Sequence, residues 1–539
     1  MVDLKKKTFL LVESVAEMRM AITLALSNFG VTKVTTTSQP KELLRHLSTR
    51  SYDVIICDYT FGGKLDGLAL LQEIHQRRLI NLGTVFIIVT TERSAATVIA
   101  ALDYSPDDYL LKPFTANALL NRLKKAFERK PAFDVLDRLI RNHDYLGAIE
   151  ECDVRINEGN AHQLEFTKIK GRLSLLTADF AGAQKLYEQV LEAAPVEWAT
   201  MGLGKSLQNQ HEFDKAIDLF QSIIDGNNRV MEAYDLLADS HQSNGDSKIA
   251  QEVLQRAVTI LPNDLKRQQK LGEVAWENGD FDVAEQTFRQ CLVLGREQAS
   301  TDADNHIKLC KLLLDKGDVE GALTAIQALR KALSRDPIAS LSADLIESMI
   351  YKKSGEQSKA QELYTKFKKA VAAYEAELPE SILLDRVAAG LLFDDEADIE
   401  PVVRKLLRNN VEGSLIRHKI VAIYEKEGKG AQIRALMDAI MAELIAQNNR
   451  AVILAKSGDL KGAVELFIQA VADMPNNARF IVNASNGLLA YVNLAGWDEA
   501  YMTKVKEFIT RIADLDPTNP ALQQLVRIRE ATAKKFNKE

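Results

Sequence analysis

One short pattern returns eight times along the chain, and its spacing constrains the fold more than any other feature of the 539 residues. In NGDSKIA, NGDFDVA, KGDVEGA, SGEQSKA and SGDLKGA, a polar turn ends in an acid that precedes an alanine by four residues. NHDYLGA, LTADFAGA and QHEFDKA are looser copies. The alanines are Ala148, Ala183, Ala216, Ala250, Ala284, Ala322, Ala360 and Ala463. Their positions step by 35, 33, 34, 34, 38 and 38, then by 103, close to three steps of 34. A fixed period of this length means a stack of like units, none of which buries its apolar face alone.

A second position locks the phase. Twelve residues before these alanines stand Gly171, Gly204, Ala238, Gly272, Cys310, Ser348 and Ala451, all small. One small residue on each of two antiparallel helices lets them approach closely. Large apolar side chains follow four residues after several anchors, at Tyr187, Phe220, Phe288, Tyr364 and Phe467. Pro195, Pro262 and Pro475, twelve residues after their anchors, stop the second helix. The region resembles the tetratricopeptide repeat (TPR), a helix–turn–helix unit of about 34 residues that stacks into a right-handed superhelix. The resemblance implies about seven repeats over residues 131–377, degenerate helical copies over 378–447 with Ala431 as a candidate anchor, and a last repeat with capping helices over 448–539. The two longer steps predict helices about one turn longer around residues 290–380. Solenoids of this kind present a concave surface to a peptide or helix.

Residues 1–130 follow another rule. KTFLLV, VTKVTTT, DVIICD, VFIIVT and DYLLK are short β-rich runs, each followed by a helical pattern. VIIC and FIIV are continuously apolar, as strands covered on both faces are. The alternation predicts a doubly wound α/β domain with five parallel strands, flavodoxin-like in order, with its chemistry at the carboxyl ends of the strands.

Those ends hold Glu13, Asp58, Thr90 and Lys112. With that set, residues 1–130 resemble the receiver domain of a two-component response regulator. The resemblance makes Asp58 the phosphoacceptor, Thr90 the hydroxyl that turns toward the phosphoryl group, and Lys112 the cation that pairs with it. Tyr109, three residues before Lys112, matches the aromatic switch residue. Mg2+, which favours oxygen ligands, would rest on Glu13, Asp58 and the backbone carbonyl of Thr60. A phosphoryl group adds roughly −1.5 to −2 charge at neutral pH, which explains the need for a lysine and a hydroxyl nearby.

Departures from the family accompany the matches. Receivers usually carry two adjacent acids after the first strand, but this chain has Glu13-Ser14. Ser14 stands in place of the acid that binds metal directly, so weakened Mg2+ binding is expected. Ser14 with Glu17 also spells a capping box for the first helix. The loop after Asp58 reads YTFGGKLDG, where the family usually has a Met-Pro step and one residue fewer before Asp-Gly; Gly62 and Gly63 make it more permissive. Thr91 replaces a usual alanine, and SPDD replaces Gly-Ala before the fifth strand.

Composition narrows the function. Hydrophobic residues make up 46% and charged residues 27%, with only 27 glycines and 12 prolines, which fits a soluble, largely helical protein. No apolar run reaches the roughly 18–20 residues that cross a bilayer, and the run in MVDLKKKTFLLV ends at Val12, too short for a signal peptide. Cys57, Cys152, Cys291 and Cys310 lack metal or redox spacing and are expected as reduced core residues, so a cytoplasmic location is expected. The net charge of −7 divides into +5 over residues 1–130 and −12 over the rest. An acidic repeat region with no reading helix disfavours nucleic acid as a partner. His162, His211, His241, His306 and His418 stand singly, and the region shows no catalytic constellation.

The leading expectation is therefore a bacterial response regulator, not an enzyme in its own right. A histidine kinase or phosphotransfer protein would phosphorylate it, and a protein or peptide in the TPR groove would read the result. Its receiver also admits a homodimer. The alternative is a phosphorylation-independent scaffold whose pseudo-receiver serves docking or dimerisation. Pro131 directly follows the last receiver helix, with no Gly/Ser-rich linker, so a movement of that helix is expected to reach the repeats.

Overall fold

The computed structural model describes residues 4–61, 67, 70–71, 74, 77, 79–91, 106–297, 303–375, 377–410 and 415–538. The chain divides into two compact units, Met1–Arg267 and Gln268–Glu539. No described helix is long and apolar enough to cross a membrane. All four cysteines are buried and free, and burial pushes the thiols of Cys152, Cys291 and Cys310 up to about 12.

The first unit opens with five parallel strands, β1 (Thr8–Val12), β2 (Lys33–Thr37), β3 (Val54–Asp58), β4 (Val85–Thr90) and β5 (Asp108–Leu111). Their order is β2-β1-β3-β4-β5, with Val12 beside Cys57, Asp58 beside Val89, and Thr90 beside Leu111. Alternate strand residues face opposite layers. Leu10, Val12, Ile55, Cys57, Phe86 and Ile88 pack with α2 (Pro40–Thr49) and with Leu70, Leu71 and Ile74. Phe9, Leu11, Val54, Ile56, Val85 and Ile87 pack with α1 (Ala16–Asn28) and α3 (Ala116–Arg129). Because both faces are covered, the central strands read as unbroken apolar runs. The strand order reverses between β1 and β3, and in such sheets ligands bind beyond the carboxyl ends at that point. The helix expected over SAATVIAALDY lies outside the described residues, as do Gly62 and Gly63.

The expected lack of a linker is what the chain shows. After α3 a single 3-10 turn, Lys130–Phe133, takes Pro131 in its first turn and leads into α4 (Asp134–Arg141). α5 (Tyr145–Asn157) pairs with α4, and α6 (Gln163–Leu176) pairs with Phe180–Ala193. Two more pairs follow in this unit: Glu197–Asn209 with Phe213–Gly226, and Met231–Ser243 with Ser247–Ile260.

The repeat signature has a physical basis at each position. Every anchor alanine is buried. The aromatic four residues later presses on the small position of the preceding helix. A Cβ on Gly204 would meet the Phe220 ring at 2.5 Å, and one on Gly272 would meet Phe288 at 2.7 Å. The acid of the turn caps the second helix: Asp144, Asp179, Asp318 and Asp459 accept the amides of Gly147, Gly182, Gly321 and Gly462 at 2.9–3.0 Å. Each such cap contributes about 1 kcal/mol. The residue before the acid takes positive φ. It is glycine at Gly245, Gly279, Gly317, Gly355 and Gly458, but His143, Ala178 and His211 hold the same conformation in the looser copies.

The second unit continues these pairs through Pro520–Lys535. The helices Phe281–Glu297 and Pro337–Ser354 have 17 and 18 residues against 13 or 14 in most others, as the longer steps between anchors predict. Gly430–Lys456 is one continuous helix of 27 residues, so the boundary expected at 447/448 falls inside it. Ala478–Ala495, Glu499–Leu515 and Pro520–Lys535 pack together at the C-terminal end.

The inner face of this unit departs from an open groove. First helices of successive pairs, Ala303–Asp315, Pro337–Ser354 and Glu380–Leu392, pack directly on one another. Their inward residues Ile307, Leu345, Ile346, Leu384 and Val387 are buried. Lys311 reaches Asp385 at 2.5 Å, and Asp315 lies 3.9 Å from Lys353 and 3.7 Å from Lys426. Apolar inward residues have drawn this stretch closed. On the first helices of the first unit Lys168, Arg172, Lys205, Asp235 and Asp239 are polar and half-exposed, while Met201 is buried.

Candidate functional site

The carboxyl end of the sheet brings most of the expected residues together. Asp58 is the last residue of β3 and Thr90 the last of β4, both buried; Glu13 follows β1 and Lys112 follows β5. The Lys112 ammonium donates to Glu13 Oε2 at 2.7 Å and to Asp58 Oδ1 at 3.0 Å. Its backbone N–H donates to the Thr90 carbonyl at 2.7 Å, which fixes the start of the turn that carries it. Two carboxylates and one ammonium leave the cluster with one net negative charge.

Burial pushes the Glu13 carboxyl above its ordinary range, and the charge of Asp58 adds to that. The Lys112 bond and the Val15 amide work against it, and burial prevails. The Glu13 side chain is therefore costly to keep charged, and Lys112 is what keeps it so.

Ser14 corrects an expectation. It does not cap the first helix: α1 begins at Ala16 after Val15, with no side-chain cap bond. Its hydroxyl instead donates to Asp58 Oδ2 at 3.4 Å, a long bond. The amide of Val15 donates to Glu13 Oε1 at 3.0 Å, so the acid takes the satisfying role expected of the serine.

Tyr109 lies on β5, the edge strand of the described sheet, with about a third of its surface exposed. Beside it, Asp108 holds Arg122 of α3 at 3.0 Å through both oxygens. Thr60 is exposed, two residues after Asp58. Two further residues shape the site without having been singled out by the sequence. Arg19 donates to the Glu13 carbonyl at 2.6 Å and so ties α1 to the β1 end. Gly67 packs so tightly that a Cβ there would lie 2.6 Å from the Asp58 carbonyl oxygen. The Asp-Gly that ends the long loop was the signal that could have marked Gly67; nothing in the α1 pattern points to Arg19.

This cluster and sheet order coincide with a family match over residues 9–124, described as the response regulator receiver domain. Residues 9–124 are a response regulator receiver domain. Among curated relatives, Response regulator ArlR of Staphylococcus epidermidis is 32% identical over 144 residues, which cover 27% of this chain and 60% of that protein. ArlR of Staphylococcus aureus is 35% identical over 86 residues, 16% of this chain and 37% of that one. The chain thus spans less than two thirds of the length of these relatives, and the match is to the receiver. Among solved structures, the C-terminal part of a TPR repeat-containing protein from Cytophaga hutchinsonii is 16% identical, covering 46% of this chain and 98% of its own, with a TM-score of 0.38. A receiver domain protein from Clostridium thermocellum is 28% identical over 23% of this chain and 97% of its own, with a TM-score of 0.21. A TPR-like helical array follows the receiver, as its paired helices, buried anchors and capped turns establish.

Proposed function

We propose that this chain is a response regulator in which phosphorylation of Asp58 controls protein binding through the helical repeats. The observation that carries this reading is Lys112, bonded at once to Glu13 and Asp58 at the carboxyl end of the sheet. An Asp58 oxygen attacks the phosphorus of a phosphohistidine, the P–N bond breaks, and the imidazole keeps the electron pair. The product carries more negative charge than the carboxylate, and Lys112 can follow it by loosening from Glu13. Thr90, at the adjacent strand end, supplies a hydroxyl to the phosphoryl oxygens. Tyr109, exposed on the edge strand, would turn inward as Thr90 moves.

Glu13, Asp58 and the Thr60 carbonyl would hold Mg2+, which supplies charge neutralisation during transfer. The donor set fits with one acid fewer than usual, since Ser14 is a neutral ligand, so the affinity is reduced. A partner helix has a surface to use: Val15, Met20 and Leu24 are at least half exposed along the helix that leads away from Ser14. A histidine kinase or phosphotransfer protein seated there would present its histidine to Asp58. The protein-binding output belongs to Gln163–Ser243, where Lys168, Arg172, Lys205, Asp235 and Asp239 are polar and half-exposed, rather than to Ala303–Leu392, where Ile307, Leu345, Ile346, Leu384 and Val387 are buried.

One observation favours a second reading. Asp58 is already satisfied by Lys112 and Ser14, as a scaffold that never becomes phosphorylated would require. Intact-mass analysis of the whole chain with a small phosphodonor and Mg2+ separates the two. One added phosphoryl group, absent in Asp58→Ala and faster in Ser14→Asp, is the expected result. No addition to the wild type at high Mg2+ would establish the scaffold.

A further inference from the structure

The strongest feature outside the Asp58 site lies at the opposite, amino end of the receiver sheet. A cavity of about 180 Å³ opens between the starts of β4 and β5, the end of α3, and α6. Ile80, Phe86, Pro106, Phe133 and Ile169 give it apolar walls. The same lining carries four cations, Arg129, Lys130, Lys168 and Arg172, against two acids, Asp107 and Glu165. Both acids are committed: Asp107 to Arg129, Lys130 and the Phe86 amide, and Glu165 to Arg129. The Arg129 Nε–H is nonetheless buried with no acceptor among the described residues. A buried donor left unmade is a cost that an incoming acceptor removes.

Apolar walls and an excess of cations over acids select a ligand that has both characters. A carboxylate offers two in-plane acceptors that suit a guanidinium fork. An inorganic anion would meet the cations but leave the apolar walls facing a hydrated group. The volume corresponds to about six water molecules, enough for one small ring and its acid group. We propose that this cavity binds a small organic carboxylate with a compact apolar body. Its walls come from both the receiver and the first repeats, so the ligand ties the start of β4 to α6. This site is independent of whether Asp58 is phosphorylated.

Titration calorimetry of the full chain with benzoate, benzyl alcohol and inorganic phosphate tests the proposal. Benzoate is expected to bind saturably, with the neutral isostere and phosphate each at least tenfold weaker. Lys168→Ala and Arg172→Ala, both at half-exposed positions, should each weaken benzoate at least fivefold. Ile169→Phe, which fills the cavity from α6, should abolish binding with an unchanged far-UV circular dichroism spectrum. Absence of saturable benzoate binding overturns the proposal. So does phosphate binding as tightly as benzoate, which marks a plain anion site, or benzoate affinity unaltered in both α6 variants.

Discussion

The two ends of the receiver sheet are built from the same kind of charge cluster with the signs reversed. At the carboxyl end one cation, Lys112, bridges two acids, Glu13 and Asp58. At the amino end one acid, Asp107, bridges two cations, Arg129 and Lys130. β5 connects them, since Asp107 stands immediately before it and Lys112 immediately after. The carboxyl cluster has a spare acid and holds a long serine bond, so it can rearrange when its charge changes. The amino cluster is locked further: Asp107 also exchanges backbone and side-chain bonds with Phe86, and Asp137 of α4 accepts the Leu82 amide at 2.7 Å. Phe133 stacks on Phe166 of α6 beside it. The geometry leaves one end free to rearrange and ties the other to the first repeats, with a four-residue strand between them.

The largest effect should come from breaking the holding end. Asp107→Ala leaves two cations facing each other, and Lys130 is buried enough that its ammonium is already pulled down, with Asp107 opposing that. Loss of one partner from a buried pair costs about 3–5 kcal/mol. Asp58→Ala should cost about 1 kcal/mol or less, because Lys112 keeps Glu13 and the repulsion between the two acids disappears. Urea unfolding measures the apparent stability of each variant, and amide exchange over residues 134–176 shows whether the repeats loosen from the sheet. Equal losses at the two ends would remove the distinction between a changing cluster and a holding one.

Much of this was legible in the sequence, and the parts that were not share a cause. Periodicity carried the repeats because each anchor alanine, aromatic and capping acid answers to its own neighbours a fixed distance away. Strand-end residues Glu13, Asp58, Thr90 and Lys112 were legible because parallel strands must place their ends together. The closed inner face of Ala303–Leu392 was not, although Ile307, Leu345, Ile346 and Val387 are apolar in the sequence. A first helix buries one stripe against its partner in any case, and only the tertiary arrangement shows a second stripe buried as well. Nothing in SPDD or FERK marked Asp107 and Arg129 as partners; their pairing depends on where α3 ends against β5. The serine at position 14 read as a cap because local spacing allowed it, but its bond is to Asp58, on a strand far along the chain.

A smaller effect should appear in the pH dependence of the carboxyl end. The folded Glu13 carboxyl titrates above its unfolded range of about 4.3, chiefly because it is buried. The folded state therefore holds that proton more tightly. The stability linked to it is fully present below the unfolded value and is lost as pH rises through the raised folded one. Glu13→Gln cannot titrate, so its stability relative to the wild type should improve as pH rises above about 4.3 and level off once pH passes the raised folded value. Thermal unfolding of both proteins across that range provides the check. A constant difference would mean that Glu13 titrates alike in the folded and unfolded chains, and that the Lys112 bond fully offsets burial.

Ser14→Ala should have the smallest effect on stability and the most specific consequence. A side-chain N-cap contributes about 1 kcal/mol and protects the first turn of its helix. The bond observed, 3.4 Å to Asp58, is near the limit of a hydrogen bond and should be worth no more than about 0.5 kcal/mol. Ser14→Ala should therefore leave amide exchange in the first turn of α1 unchanged, since Glu13 already takes the Val15 amide. Its effect should fall on Asp58, whose remaining side-chain partner among the described residues is then Lys112. A loss near 1 kcal/mol with faster exchange at Glu17 to Arg19 would restore the cap and detach Ser14 from the cluster. Unchanged exchange in α1 makes the serine part of the end of the sheet that is free to rearrange, held there by a bond weak enough to give way.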